Sequence, residues 1–164
     1  MTGLAGFNEI AEVEARRVLT GCCSAPGWVE VVLAGRPYSS VEALLAGSDL
    51  AVAALGESGL RAALDGHPRI GERAAAGSWS GREQAGVAGA GDEARRALAE
   101  GNAAYEERFG HIYLVCATGR SGEELLGLLR ERLGNDPETE WRVVASELAK
   151  INQIRLRALI GADS

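Results

Sequence analysis

Aromatic side chains are scarce in this 164-residue chain, at 5%, so Leu, Val, Ile and Ala must fill most of any core. Lysine and arginine nowhere form a run, and acids outnumber them 23 to 17, for a formal net charge of -6. Such a chain repels nucleic-acid phosphates and anionic membranes, so neither is an expected partner. No stretch of 18 apolar residues exists, and no membrane span is expected. The segment Met1–Glu14 has neither the basic region nor the apolar run of a signal peptide. Gly161-Ala162-Asp163-Ser164 is not a peroxisomal address, so a cytoplasmic location is expected. Cysteines number three, Cys22, Cys23 and Cys116; an odd count without a leader argues for buried free thiols over a disulfide framework. With two histidines and no metal-ligand spacing, no metal site is expected. A phosphate-binding P-loop is missing. Gly89-Ala90-Gly91-Asp92-Glu93-Ala94 only loosely matches a dinucleotide fingerprint, and no strand precedes it.

What is present is an ordinary globular balance, 46% hydrophobic and 24% charged, of a size that suits one domain over residues 1–164. The dominant period is helical, and the expected fold class is all-α, a compact domain of long and short helices. Asn8 can cap a first helix whose apolar face is Phe7, Ile10, Ala11 and Val18. Pro26 to Gly35 reads equally as a strand or as a short buried helix. Ser39-Ser40-Val41-Glu42 starts a short helix to Gly47. Further short pieces span 49–55 and 60–64. Residues 66–91 contain seven glycines and form the least regular part of the chain, and a loop of that length in a compact domain is usually functional or disordered. Asp92 can cap a helix to Phe109, with Leu98, Asn102, Tyr105 and Phe109 on one stripe and Gly110 as its stop. Tyr113-Leu114-Val115-Cys116-Ala117 is a wholly apolar extended run. Ser121 to Glu124 has capping-box spacing and opens a helix through Leu133. Asp136-Pro137 opens a long final helix to about Ile160.

Three places can carry chemistry. His67 sits between Gly66 and Pro68, and a residue before proline is biased towards extended backbone, so the ring stands on a rigid turn. A lone histidine is as readily structural. Ser80-Gly81-Arg82-Glu83-Gln84 has the spacing of a capping box; its helix N-terminus would also suit an anion or a carbonyl oxygen. Arg155 falls inside the apolar arc made by Trp141, Val144, Leu148, Ile151 and Leu159, whereas Lys150 and Arg157 project away. A buried guanidinium needs an anionic partner, either an internal glutamate or a substrate carboxylate. A Cys116–His67 nucleophile pair is a further alternative, weakened because apolar surroundings make a thiol inert. A non-catalytic module binding a small anion is another; it would keep Arg155 without needing His67 and Glu83.

Short elements in a fixed order carry a resemblance along nearly the whole chain. They are Phe7-Asn8, Cys22-Cys23, Trp28, Arg36-Pro37, His67-Pro68-Arg69-Ile70-Gly71 and Ser80 to Gly86. Asn102 to Gly110, Val115 to Ser121, Glu147, Lys150-Ile151 and Arg155-Leu156 complete them. With these the chain resembles the 2-oxo-4-hydroxy-4-carboxy-5-ureidoimidazoline (OHCU) decarboxylase family. After Gly110, where relatives often have Pro-Phe, this chain has Ile112-Tyr113. The resemblance implies a carboxy-lyase that converts OHCU to S-allantoin in urate catabolism, all-helical, a homodimer, with no metal or organic cofactor. It implies His67 as catalytic acid/base with Glu83 beside it. It also implies substrate contacts from Pro68, Ser80, Gly81, Arg82, Gln84, the backbone of Tyr113, Leu114, Val115, Cys116 and Ala117, and Arg155.

Overall fold

In the computed structural model the described residues are 3–71 and 83–161. Their regular elements are all helices, with no strand among them. The chain divides into two units, residues 1–66 with 148–164, and residues 67–147.

The first unit contains α1 (Gly3–Glu9), α2 (Glu12–Cys22), α3 (Pro26–Ala34), α4 (Val41–Ala53) and α5 (Gly56–Leu64). Pro26 occupies the first turn of α3, where its missing N–H costs nothing, and this resolves the strand-or-helix ambiguity in favour of helix. Helix α3 packs against α2, α4 and α5. Its Trp28 is fully buried and donates Nε1–H to Ser48 Oγ of α4 at 3.1 Å. Asn8 does not cap a helix. It lies near the end of α1, and its carboxamide pairs with the backbone of Tyr38: Nδ2 donates to the carbonyl (2.9 Å), and Oδ1 accepts from the amide (2.8 Å). Ala11 precedes α2 without a side-chain cap. Ser40 does cap α4, accepting from the Ala43 amide. That helix continues through Gly47 to Ala53, joining two pieces the sequence separated. The Tyr38 ring lies against Gly47, so here glycine marks a close approach and not a helix end.

The second unit contains α6 (Ala85–Ala88), α7 (Asp92–Phe109) and α8 (Gly122–Arg132). Residues 137–147 of α9 (Pro137–Leu159) also belong to it. Gly91, not Asp92, is the N-cap of α7, and Asp92 takes the first helical position. Gly110 ends α7 with φ +75°, a left-handed conformation that suits glycine alone. Ser121 and Glu124 form the full reciprocal capping box of α8. Asp136 accepts from the Thr139 amide at 2.8 Å at the head of α9. One apolar cluster joins Ile70, Val87, Leu98, Tyr105, Tyr113, Val115, Ala117, Leu125 and Leu129. All three cysteines are buried free thiols. No single helix among the described residues is long and apolar enough to cross a membrane.

Candidate active site

His67 and Pro68 are half-buried on a non-helical turn. The three residues after them are each fixed. Arg69 makes a bidentate pair with Glu106 of α7, both contacts 2.8 Å. The Ile70 carbonyl accepts from Asn102 Nδ2 at 2.8 Å, and the Ile70 side chain enters the apolar cluster. The Gly71 amide donates to Gln84 Oε1 at 3.0 Å. Val87, three residues beyond Gln84, enters the same cluster as Ile70. The structure therefore brings the His67–Gly71 turn and the segment beginning at Glu83 to one side of α7. Glu83 itself is half-buried. Ser80, Gly81 and Arg82 lie outside the described residues.

Gln84 was expected to contact substrate. It is buried, and its oxygen is committed to Gly71. That bond fixes which end of the carboxamide is the acceptor and which carries the N–H groups.

The run Tyr113 to Ala117, expected to be extended, is buried and belongs to no helix or strand, and no strand among the described residues meets its backbone. Side chains do so instead. Arg132 Nη1 donates to the Leu114 carbonyl at 2.6 Å. The Cys116 amide donates to Glu147 Oε1 at 3.2 Å, and the Cys116 carbonyl accepts from Arg120 Nε at 3.2 Å. The Ala117 carbonyl accepts from the Arg120 amide. A substrate contact through these atoms must share them with bonds already made.

Arg132 belongs to a buried cluster that sequence reasoning missed. Glu140 is fully buried and accepts from Arg132 Nε (2.7 Å), Tyr105 Oη (2.5 Å) and Asn135 Nδ2 (3.0 Å). The Arg132 guanidinium also lies 4.8 Å from the Tyr113 ring centroid. Burial pushes the Tyr113 hydroxyl up to about 12. Burial, reinforced by the Glu140 carboxylate, pushes Tyr105 higher still. A signal for these acids was available: at 100° per residue Glu140 and Glu147 fall on the same inward arc of α9 as Val144, Ile151 and Arg155.

Arg155, in the first unit, is buried as its position on that arc predicts. Its Nη1 donates 2.7 Å to the carbonyl of Cys22, the last residue of α2, where helix carbonyls lack intrahelical partners. Sequence reasoning offered a glutamate or a substrate for this group; a helix end is a third use it did not foresee. Nearby, burial raises the pKa of the Cys23 thiol. Cys116 is 8% exposed.

Known proteins similar to this chain are named for OHCU decarboxylation or uric acid degradation. The chain is 35% identical over 137 residues to 2-oxo-4-hydroxy-4-carboxy-5-ureidoimidazoline decarboxylase of Amia calva, covering 79% of this chain and 77% of that one. It is 28% identical over 145 residues to the uric acid degradation bifunctional protein TTL of Arabidopsis thaliana. That alignment takes in 84% of this chain but only 45% of the Arabidopsis protein, so the chain spans about half the length of that relative. A crystal structure of OHCU decarboxylase in the presence of (S)-allantoin superposes with a TM-score of 0.76 at 29% identity, covering 87% of this chain and 96% of the other. A structure of (S)-allantoin synthase, 17% identical with a TM-score of 0.73 over 96% of this chain and 54% of the other, shares the fold. Fold and relatives together set the chain among the all-helical proteins of the OHCU decarboxylase type. The chain belongs to the OHCU decarboxylase family, whose model matches residues 8–157.

Proposed function

We propose that this chain removes the carboxylate of OHCU to give (S)-allantoin, with His67 as the acid/base. Family membership over residues 8–157 is the observation that carries the reaction. The fixed turn bearing His67 supports the choice of residue.

The substrate is a small anionic ring. When its C–COO⁻ bond breaks, the electron pair left behind is accepted by the adjacent C=N of the imidazoline. The substrate is thus its own electron sink, and the protein's task is to orient the carboxylate, balance the shifted charge and deliver one proton to one face. His67 exchanges a proton with the 4-hydroxyl or the developing anion; an imidazole pKa near ~6.5 suits that traffic at neutral pH. Glu83 accepts a hydrogen bond from His67 or from substrate. Gln84 donates through its N–H groups, and Ser80, Gly81 and Arg82 contact the substrate as well. Pro68 holds the ring on its corner. Arg155 is the carboxylate-binding group, its second function beside the Cys22 carbonyl. The backbone of residues 113–117 supplies further contacts. We place the enzyme in the cytoplasm as a homodimer, without a nucleic-acid or membrane partner.

His67→Asn tests the reading. Substrate is generated in situ from urate by the upstream enzymes, and allantoin is followed by circular dichroism. The wild type gives the S enantiomer; His67→Asn folds but loses about 10²-fold or more in turnover. Enantiopure product at the wild-type rate from that variant refutes His67 as the acid/base.

A further inference from the structure

We propose that Asn102 is a positioning residue for the reaction, setting the place of His67 through the backbone of Ile70. The proposal rests on the reading of His67 as the acid/base.

Asn102 projects from the middle of α7 and is 5% exposed. A carboxamide on the apolar stripe of a helix is unfavourable unless it has a task. Its Nδ2 donates 2.8 Å to the Ile70 carbonyl, three residues after His67. Because a carbonyl can only accept, this bond fixes the orientation of the amide. The other end, Oδ1, is buried and finds no hydrogen-bond partner among the described residues. The side chain therefore keeps one bond while leaving an acceptor unsatisfied, an arrangement that selection for stability alone would not favour.

Its position along the chain explains the use. Residues 69, 70 and 71 are held in succession, by Glu106, Asn102 and Gln84. The Arg69–Glu106 pair is partly solvent-exposed, so water and salt weaken it. The Gln84 bond joins two loop segments. Among the bonds described for this turn, that of Asn102 is buried, and it ties the turn to a long helix, α7, that is itself built into the core through Leu98 and Tyr105. A catalytic imidazole must be held to a fraction of an ångström, and a misplacement of about 1 Å costs about 10²-fold in rate. Asn102 is the rigid reference for that placement.

The test uses Asn102→Leu, close in volume, and Asn102→Asp, close in shape. With only two histidines in the chain, the His67 ring is read directly by ¹⁵N NMR, and His111 serves as the internal reference. For both variants kcat falls about 10–10²-fold while KM stays within about threefold. The His67 ring signals and their titration move, and those of His111 do not. In Asn102→Asp the loss shrinks as pH falls, because only the protonated carboxyl can donate to the Ile70 carbonyl; in Asn102→Leu it does not. Wild-type kcat with an unshifted His67 spectrum overturns the proposal. So does a variant pair that fails to fold, since that makes Asn102 a purely structural residue. A wild-type enzyme inactive on OHCU would sink the proposed function instead, and the His67 spectrum would still judge the positioning.

Discussion

Replacing Glu140 with alanine strips three donors of a common acceptor: Arg132 Nε, Tyr105 Oη and Asn135 Nδ2. Glu140 is fully buried and the Arg132 side chain is 7% exposed, so water cannot take over without opening the core. Removing one partner of a buried ion pair costs about 3–5 kcal/mol, chiefly because the remaining charge is left without compensation. For a chain of this size each kcal/mol moves Tm by about 2–4 °C, so Glu140→Ala is expected to melt about 6–20 °C lower. Urea unfolding followed by far-UV circular dichroism measures the free energy directly. The origin of the cost is separable. The double variant Arg132→Met, Glu140→Leu removes both charges and should recover much of the loss, as paired buried ions are often replaceable by apolar groups. Recovery stays incomplete by about 1–3 kcal/mol, because the Leu114 carbonyl loses its donor as well. A Glu140→Ala protein within about 1 kcal/mol of wild type would refute the reasoning. So would a double variant whose loss equals or exceeds the sum of the two single losses.

Two other expectations follow from the described geometry. All three tyrosines, Tyr38, Tyr105 and Tyr113, have hydroxyls pushed above their ordinary value by burial. Each folded pKa exceeds the unfolded one of about 10, so the folded state holds these protons more tightly. Their contribution is complete below about pH 10 and is lost as pH rises through and beyond it. Tyrosinate absorbance at 295 nm should therefore appear together with loss of helical signal; half the absorbance change at pH 10 with the helix signal intact would contradict this. At the head of α8, Ser121→Ala removes the acceptor for the Glu124 amide and is expected to cost about 1 kcal/mol, or about 2–4 °C in Tm. An unchanged Tm would show that the cap contributes nothing.

The elements legible in the sequence were those governed by neighbours in the chain. Gly110 stopping α7, Ser121 and Glu124 boxing the start of α8, and Asp136 with Pro137 opening α9 each depend on residues three or four apart. Period alone placed Asn102 on the buried stripe and Arg155 on the inward arc. Legibility failed where a distant side chain decides the outcome. Asn8 has the composition of a cap, but the backbone of Tyr38, 30 residues on, claims its carboxamide. Gly47 looked like a terminus, and only the Tyr38 ring against it explains a glycine in mid-helix. The pairing of Arg132 with Glu140 joins two helices across a tight connection, and a charged residue on an exposed face has the same letter as one in the core. For the site, sequence singled out His67 and Gln84, yet the anchoring of that turn by Asn102 spans 32 residues and leaves no local pattern.

Five consecutive apolar residues outside any helix leave their amides and carbonyls without partners in their own segment, and such groups ordinarily invite a neighbouring strand. Between Tyr113 and Ala117 that invitation is withdrawn: charged side chains from elsewhere in the fold occupy the carbonyl of Leu114 and both backbone groups of Cys116. Arg132, Glu147 and Arg120 thus do for this segment what a paired strand does in a sheet, closing its backbone groups inside the fold.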